Sequence, residues 1–305
     1  MGHPKASIKK PSRLNPGDTI GVAAPAGPFD PELFLKGVTA LEALGYRVFQ
    51  PEGLTLRDRF LAGPDEHRAG LINQMFADPE IKGVCCARGG YGSLRILDLI
   101  DYGLIRQNPK VFIGFSDISA LLWVLANQCS LSVFHGPVMT KLGKENVETA
   151  AGLQIALTST SPIEIPAANG EVLRAGACKG PVHGGNLATL CHLVGTPYAP
   201  NFNECIAVLE DVGEAPYKID RMLYQMRMAG CFDGMAGLAL GTFADCGNLD
   251  DILEVVRDVF KDTDIPILAG FDIGHGPVNQ TLPFGIPAVL DTERRTLAYT
   301  EAAVL

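Results

Sequence analysis

The sequence predicts an α/β protein in two parts: an N-terminal doubly wound parallel-sheet domain over residues 1–158 and a second, mixed α/β domain over residues 159–305. Three observations carry that expectation. Through the first half, apolar runs of strand length alternate with segments of helical spacing. Three of the strand runs end in glycine-rich turns. Beyond residue 158 the regular alternation breaks into short strands, turns and helices. The length, 305 residues, is also more than a single core comfortably serves.

Taken in order, "TIGVAAPAG" (Thr19 to Gly27) reads as a buried strand ending in a Pro/Gly turn. "PELFLKGVTALEALG" has helical apolar spacing, opens with Pro31 and stops at Gly45. "YRVFQ" is a short strand, and "DEHRAGLINQMFAD" a helix with Asp65 as a plausible cap. "IKGVCCARGG" runs from strand into turn, "GSLRILDLI" is a helix, and "KVFIGFSD" with "ISALLWVLANQ" repeats the unit. Near-continuous apolar strands in such a rhythm belong to a parallel sheet covered on both faces. Ligands bind such sheets beyond the carboxyl ends of the strands, so "APAGP", "ARGGYGS" and "GFSD" should gather on one edge.

"TSTSPIEIPAANG" (Thr158 to Gly170) reads as a polar, proline-containing linker. After it, "EVLRAGACKGPVHGGN" gives short strands with turns, "LATLCHLVG" a buried helix and "CIAVLED" a strand. "APYKIDRMLYQMRMAG" is an amphipathic helix with Pro216 in its first turn. "MAGLALGTF" and "IPILAGF" are apolar strands flanking the helix "LDDILEVVRDVF", and "IPAVLD" with "TLAYTE" forms a hairpin around "TERR".

Composition narrows the function classes. Hydrophobic residues make up 47% and charged residues 19%, an ordinary globular balance. A formal charge of -9 argues against a nucleic-acid or anionic-membrane surface, while leaving room for a local basic pocket. The chain has no apolar run of the ~18 residues needed to span a bilayer. The basic start, "MGHPKASIKKPSRLNPGD", has no apolar segment of a secretory signal, so a soluble, cytoplasmic protein is expected. Eight cysteines, with no CxxC pair, read as buried free thiols in a reducing compartment.

The chemistry-bearing stretch is "GFSDI", Gly114 to Ile118, where a strand enters a helix. The nucleophile elbow G-x-S-x-G needs small neighbours because its serine sits on a strained turn, and here the second glycine is missing. Ser116 or Asp117 would equally serve as a helix cap. A nucleophilic Ser116 would place the Asp117 N–H, with the helix dipole behind it, where an oxyanion forms. For a base, His3 lies in a tail and His67 on an exposed helix, and His192 reads as a core histidine. His135, His183 and His275 remain, each beside glycine after a strand-like stretch. For an acid, Glu210 and Asp211 come straight off an apolar strand and Glu214 follows. Support of a helix N-terminus accounts well for Asp211 or Glu214 and less well for Glu210.

The stretches "AAPAGP", "ARGGYGS", "GFSDISALL", "HGP", "GGNLATL", "LEDVGEAPYKIDRML" and "GHGPVNQTLPFG" occur in that order across residues 23 to 285. In this the chain resembles the LD-carboxypeptidase family, which includes muramoyltetrapeptide carboxypeptidase and the microcin C self-immunity peptidases. The resemblance implies a flavodoxin-like or class I glutamine amidotransferase-like N-terminal domain. It also implies a serine peptidase with Ser116 as nucleophile, His275 as base and Glu210 as acid, lodged in an interdomain groove. By position, the oxyanion donors would be the N–H groups of Asp117 and Gly90. Arg88 would meet the substrate carboxylate, for which a guanidinium is the geometric match, and Tyr91 would line the pocket. No metal or other cofactor is required, the substrate is a small murein peptide, and a homodimer is implied. One rival is a peptidase of a peptidyl or aminoacyl nucleotide, with aromatic residues stacking on the base. Another treats "ARGGYGS" as a phosphate-cradling turn of a nucleotide-binding module, although no P-loop Lys-Ser/Thr follows it. A third is an inactive descendant.

Overall fold

The protein is described from a computed structural model, which covers residues 8–144, 146–167 and 169–305. His3 lies outside the described residues. The first half follows the expected alternation: β1 (Thr19–Ala23), α1 (Pro31–Ala43), β2 (Arg47–Phe49), α2 (Asp65–Ala77), β3 (Ile81–Cys86), α3 (Tyr102–Gln107), β4 (Val111–Gly114), α4 (Ser119–Cys129) and β5 (Val133–His135). Two helices, α5 (Met139–Leu142) and α6 (Val147–Thr158), follow.

These strands pair in parallel in the order β2-β1-β3-β4-β5, the doubly wound order whose ligand crevice lies where the strand order reverses. β1, β3, β4 and β5 are almost wholly buried, as near-continuous apolar strands must be. Helix α1 starts on Asp30, whose carboxylate accepts from Leu33 N, with Pro31 in its first turn. Helix α4 is buried from Ser119 to Ala126 and again at Cys129. It packs against β4 and β5 on one side and against elements of the second sheet on the other, so both flanks must be apolar.

The second sheet contains β6 (Glu164–Pro166), β7 (Glu171–Arg174), β8 (Ala177–Asn186), β9 (Ile206–Val212), β10 (Gly237–Ala244) and β11 (Ile267–Ala269). The strand β12 (Leu282–Phe284) leaves it, and β13 (Pro287–Asp291) with β14 (Thr296–Tyr299) completes it. Its order is β6-β14-β13-β8-β9-β10-β11-β7. The central strands β8 to β11 are parallel and the flanking ones antiparallel. Between them run α7 (Leu187–Cys191), α8 (Pro216–Met228) and α9 (Leu249–Val259). β12 crosses to the first sheet and pairs antiparallel with β5, Leu282 opposite His135.

Four local expectations are corrected. "GSLRILDLI" forms a 3-10 helix over Ser93–Leu99. α2 begins after Pro64 with no side-chain cap, because the Asp65 carboxylate is turned to Arg68 and Arg95. The linker holds β6, an edge strand whose buried residue is Ile165. "LATLCHLVG" is helical only over Leu187–Cys191, which leaves His192 exposed at its end. All eight cysteines are free, and all but Cys178 are buried. Among the described residues no helix is long and apolar enough to cross a membrane.

Candidate active site

The three glycine turns meet at the carboxyl edge of the first sheet. Gly27 N donates to Gly89 O at 3.1 Å, joining the turns after β1 and β3. A Cβ on Gly89 would stand 2.8 Å from Ser116 Cβ and 3.3 Å from Asp117 N, so the β3 turn lies directly on the β4 turn. Asp117 Oδ2 accepts from Ser93 N at 2.8 Å, tying the same two turns from the other side. Beneath them, fully buried Arg68 donates to the carbonyls of Pro25, Gly63 (3.2 Å) and Gly92 (2.9 Å), and pairs with Asp65.

Ser116 is not a helix cap. The short 3-10 turn Ser116–Ile118 is preceded by extended Phe115, and neither that turn nor α4 has a side-chain cap. Instead Ser116 has φ +65, in the left-handed region that costs a residue with a Cβ roughly 1–2 kcal/mol. The missing elbow glycine has a physical reason: Ile118 folds back over Gly114, where a Cβ would meet Ile118 Cγ2 at 2.5 Å. Small residues are thus placed at Gly114 and Gly89, and position 118 is free to be large.

Ser116 Oγ lies 3.1 Å from His275 Nε2, and His275 Nδ1 lies 2.7 Å from Glu210 Oε2. With Glu210 Oε2 as the acceptor the tautomer is assigned with its proton on Nδ1, leaving Nε2 to accept from the serine hydroxyl. Glu210 is fully buried at the carboxyl end of β9, opposite Asn186 at the end of β8. His275 sits in the loop after β11, its ring 4.8 Å from that of Phe115. Among the contacts that hold that loop, Asn279 Oδ1 accepts from Gly274 N at 2.8 Å, and buried Lys141 donates to Gly276 O. Burial lowers the Lys141 ammonium pKa below its usual range.

The other candidates have different duties. His183 is packed edge-on to Trp123 (5.7 Å), and His135 is buried behind the site. Asp211 does support a helix N-terminus, but that of α7: its oxygens accept from Ala188 N (2.9 Å), Asn186 Nδ2 (2.9 Å) and Val212 N (2.8 Å). Burial nonetheless pushes its carboxyl up to about 6. Glu214 pairs with Lys218 at 3.1 Å across the start of α8.

A cleft of about 540 Å³ opens over Ser116 and His275. Arg88, Lys141 and Lys144 supply its cations and Asp30 its acid, so the wall is basic in an acidic protein. Gly90 lines it beside Ser116, with φ +105. Arg88 is exposed and donates one N–H to Pro28 O at 2.6 Å. Tyr91 is not among the lining residues. Set between Gly90 and Gly92, both at positive φ, it turns outward and is 50% exposed, edge-on to Phe60 at 5.5 Å. Arg68, Lys141 and Asn279 carry no signal in the sequence, because nothing local marks a buried cation on a helix or an amide in a loop.

The chain is similar to known proteins along most of its length. Residues 20–136 match the LD-carboxypeptidase N-terminal domain, and residues 179–290 match the C-terminal domain of the same family. A probable murein peptide carboxypeptidase of Bacillus subtilis is 36% identical over 97% of this chain and 95% of its own length. Among solved structures, an MccF-like protein from Bacillus anthracis superposes with a TM-score of 0.90 at 28% identity, covering 95% of this chain and 99% of that one. A muramoyltetrapeptide carboxypeptidase from Oxalobacter formigenes gives 0.81 at 27% identity, covering 92% and 97%.

Proposed function

The chain belongs to the LD-carboxypeptidase family, and from that premise we propose that it removes the terminal D-alanine from cytoplasmic murein tetrapeptide in cell-wall recycling, with Ser116, His275 and Glu210 as its catalytic triad. The observation that carries the reading is the row Ser116 Oγ, His275 and Glu210, joined at 3.1 Å and 2.7 Å. His275 Nε2 takes the hydroxyl proton as Ser116 attacks the amide carbonyl. Glu210 keeps the imidazole in its productive tautomer and stabilises the imidazolium that forms. The tetrahedral oxyanion falls to the N–H groups of Asp117 and Gly90, a donor of this kind being worth roughly 3 kcal/mol. His275 then protonates the leaving D-alanine amine, and water repeats the sequence on the acyl-enzyme.

A carboxypeptidase must also hold a free carboxylate. Arg88, on the cleft wall beside Gly90, is the residue we assign to it, with Lys141 and Lys144 adding positive potential. The second reading, cleavage of a peptidyl nucleotide, is favoured by the close superposition on the MccF-like protein. Base stacking would need an aromatic face on the wall. Apart from His275, the aromatic residue lining the cleft is Phe115, itself 5% exposed, and Trp123 is packed into the core on His183 and Phe202. That wall supports the murein reading.

The test incubates wild type and Ser116→Ala with L-Ala-γ-D-Glu-diaminopimelate-D-Ala in the presence of a chelator and follows D-alanine by mass spectrometry. Release by the wild type alone is expected. No release by folded wild type overturns the substrate, and equal release by both proteins overturns the role of Ser116. Sedimentation of the purified enzyme checks the homodimer that the reading implies.

A further inference from the structure

Glu210 is fully buried and only one of its oxygens is engaged by the chain: Oε2 meets His275, while Oε1 has no hydrogen-bond partner. Leaving a carboxylate oxygen desolvated and unpaired is costly, so the group facing it matters. That group is His135, also fully buried, whose Nε2 lies 4.0 Å from Oε1 and has no hydrogen-bond partner. His135 is the last residue of β5, in register with Gly114 at the end of β4, just before Ser116. It therefore reaches from the sheet that carries Ser116 to the acid on the other sheet.

We propose that His135 is a positioning residue, a neutral second imidazole that donates Nε2–H to Glu210 Oε1 and so fixes the carboxylate that orients His275. The proposal rests on the triad reading above. Catalytic hydrogen bonds are commonly long in the free enzyme and shorten as charge develops, which is what 4.0 Å calls for once His275 becomes an imidazolium. The surroundings suit a neutral donor. The ionisable groups facing His135 are Glu210 from β9 and His275 from its loop, and the remaining ring neighbours are Phe115 (6.1 Å) and Phe284 (5.5 Å). Burial pushes the imidazole down to about 4, so it does not compete with His275 for the charge of Glu210 at neutral pH.

The test compares His135→Phe, which keeps the ring packing and removes the N–H, with His135→Gln, whose amide reaches the position of Nε2. Folding is checked by circular dichroism and melting, and Ser116→Ala is run beside them. In folded His135→Phe, kcat is expected to fall roughly tenfold or more with KM unchanged, and the acid limb of kcat/KM to move to higher pH. His135→Gln is expected to restore both. A purely packing role would lower the melting temperature without moving the acid limb. Wild-type kcat and pH profile in folded His135→Phe overturn the proposal, as does a folded His135→Gln no better than His135→Phe. If His135→Phe does not fold, a His135→Gln with kcat and acid limb near wild type still supports it, and a folded but impaired one refutes it. An active Ser116→Ala overturns the triad reading instead, through a different variant.

Discussion

Placing a methyl group at Gly274 tests the site where it has the least room. The Cβ of Gly274→Ala would stand 2.2 Å from Glu210 Oε2 and 2.6 Å from Glu210 Cγ and Cδ. An ordinary carbon–oxygen contact needs roughly 1 Å more, so the carboxylate must move by about that much. Glu210 Oε2 is the atom 2.7 Å from His275 Nδ1, so the move is felt by the imidazole. Misplacing a reacting group by roughly 1 Å costs on the order of 100-fold in rate. The substitution also incurs backbone strain, since Gly274 has φ +97, and this part needs its own control. Gly195→Ala supplies it: φ there is +87, with nothing within 4 Å of the new Cβ. Each variant should lose roughly 1–2 kcal/mol of unfolding free energy from backbone strain alone. Gly274→Ala alone should lose about 100-fold in kcat for D-alanine release, with KM nearly unchanged. A folded Gly274→Ala within about threefold of wild-type kcat would refute the claim that Glu210 acts through its present position.

Three further outcomes are expected. Glu210→Gln keeps the shape and removes the charge, so kcat should drop by roughly 10³ to 10⁴ with folding intact, measured by the same release assay. Arg68→Met leaves the carbonyls of Pro25, Gly63 and Gly92 without their buried donor, and urea unfolding should show a loss of roughly 3–5 kcal/mol. Asp211 gives a pH dependence whose sign follows from its carboxyl lying higher in the folded protein, about 6 against 3.8. Between those values the native state holds a proton that the unfolded chain releases. Its contribution is therefore fully present below pH 3.8 and lost as pH rises to about 6, by up to roughly 3 kcal/mol. Chemical denaturation from pH 4 to 6.5 should show this fall, and Asp211→Asn should flatten it; an equal slope in both proteins counts against the assignment.

The parallel sheet could be read from the chain because its strands are buried on both faces and so lose the polar alternation of a half-exposed strand. The meeting of "APAGP", "ARGGYGS" and "GFSD" could be read for a different reason: parallel strands send all their following turns to one edge. The state of Ser116 could not. Serine and aspartate before a helix are good caps, and what separates cap from elbow is φ +65 together with a histidine 159 residues away. His192 is exposed, not a core histidine, because α7 stops at Cys191 and helical spacing beyond that point carries no information about burial. Arg68 illustrates a further limit: its three carbonyl partners come from three separate loops, and no window of sequence contains them.

Glu210 and Asp211 show how far one strand end determines the site. They are adjacent, both buried and both acidic, and the apolar run before them marks each as costly without saying what either does. A strand sends successive side chains to opposite faces, so the two carboxylates must serve different neighbours. On one face Glu210 meets His275 and His135; on the other Asp211 meets the N-terminal N–H of α7. Which face holds the histidines depends on β9 lying between β8 and β10, a fact of topology. Exchanging the two acids would keep composition and net charge unchanged. It would still disturb both duties, since an aspartate at 210 falls one methylene short of His275 and a glutamate at 211 overreaches Ala188.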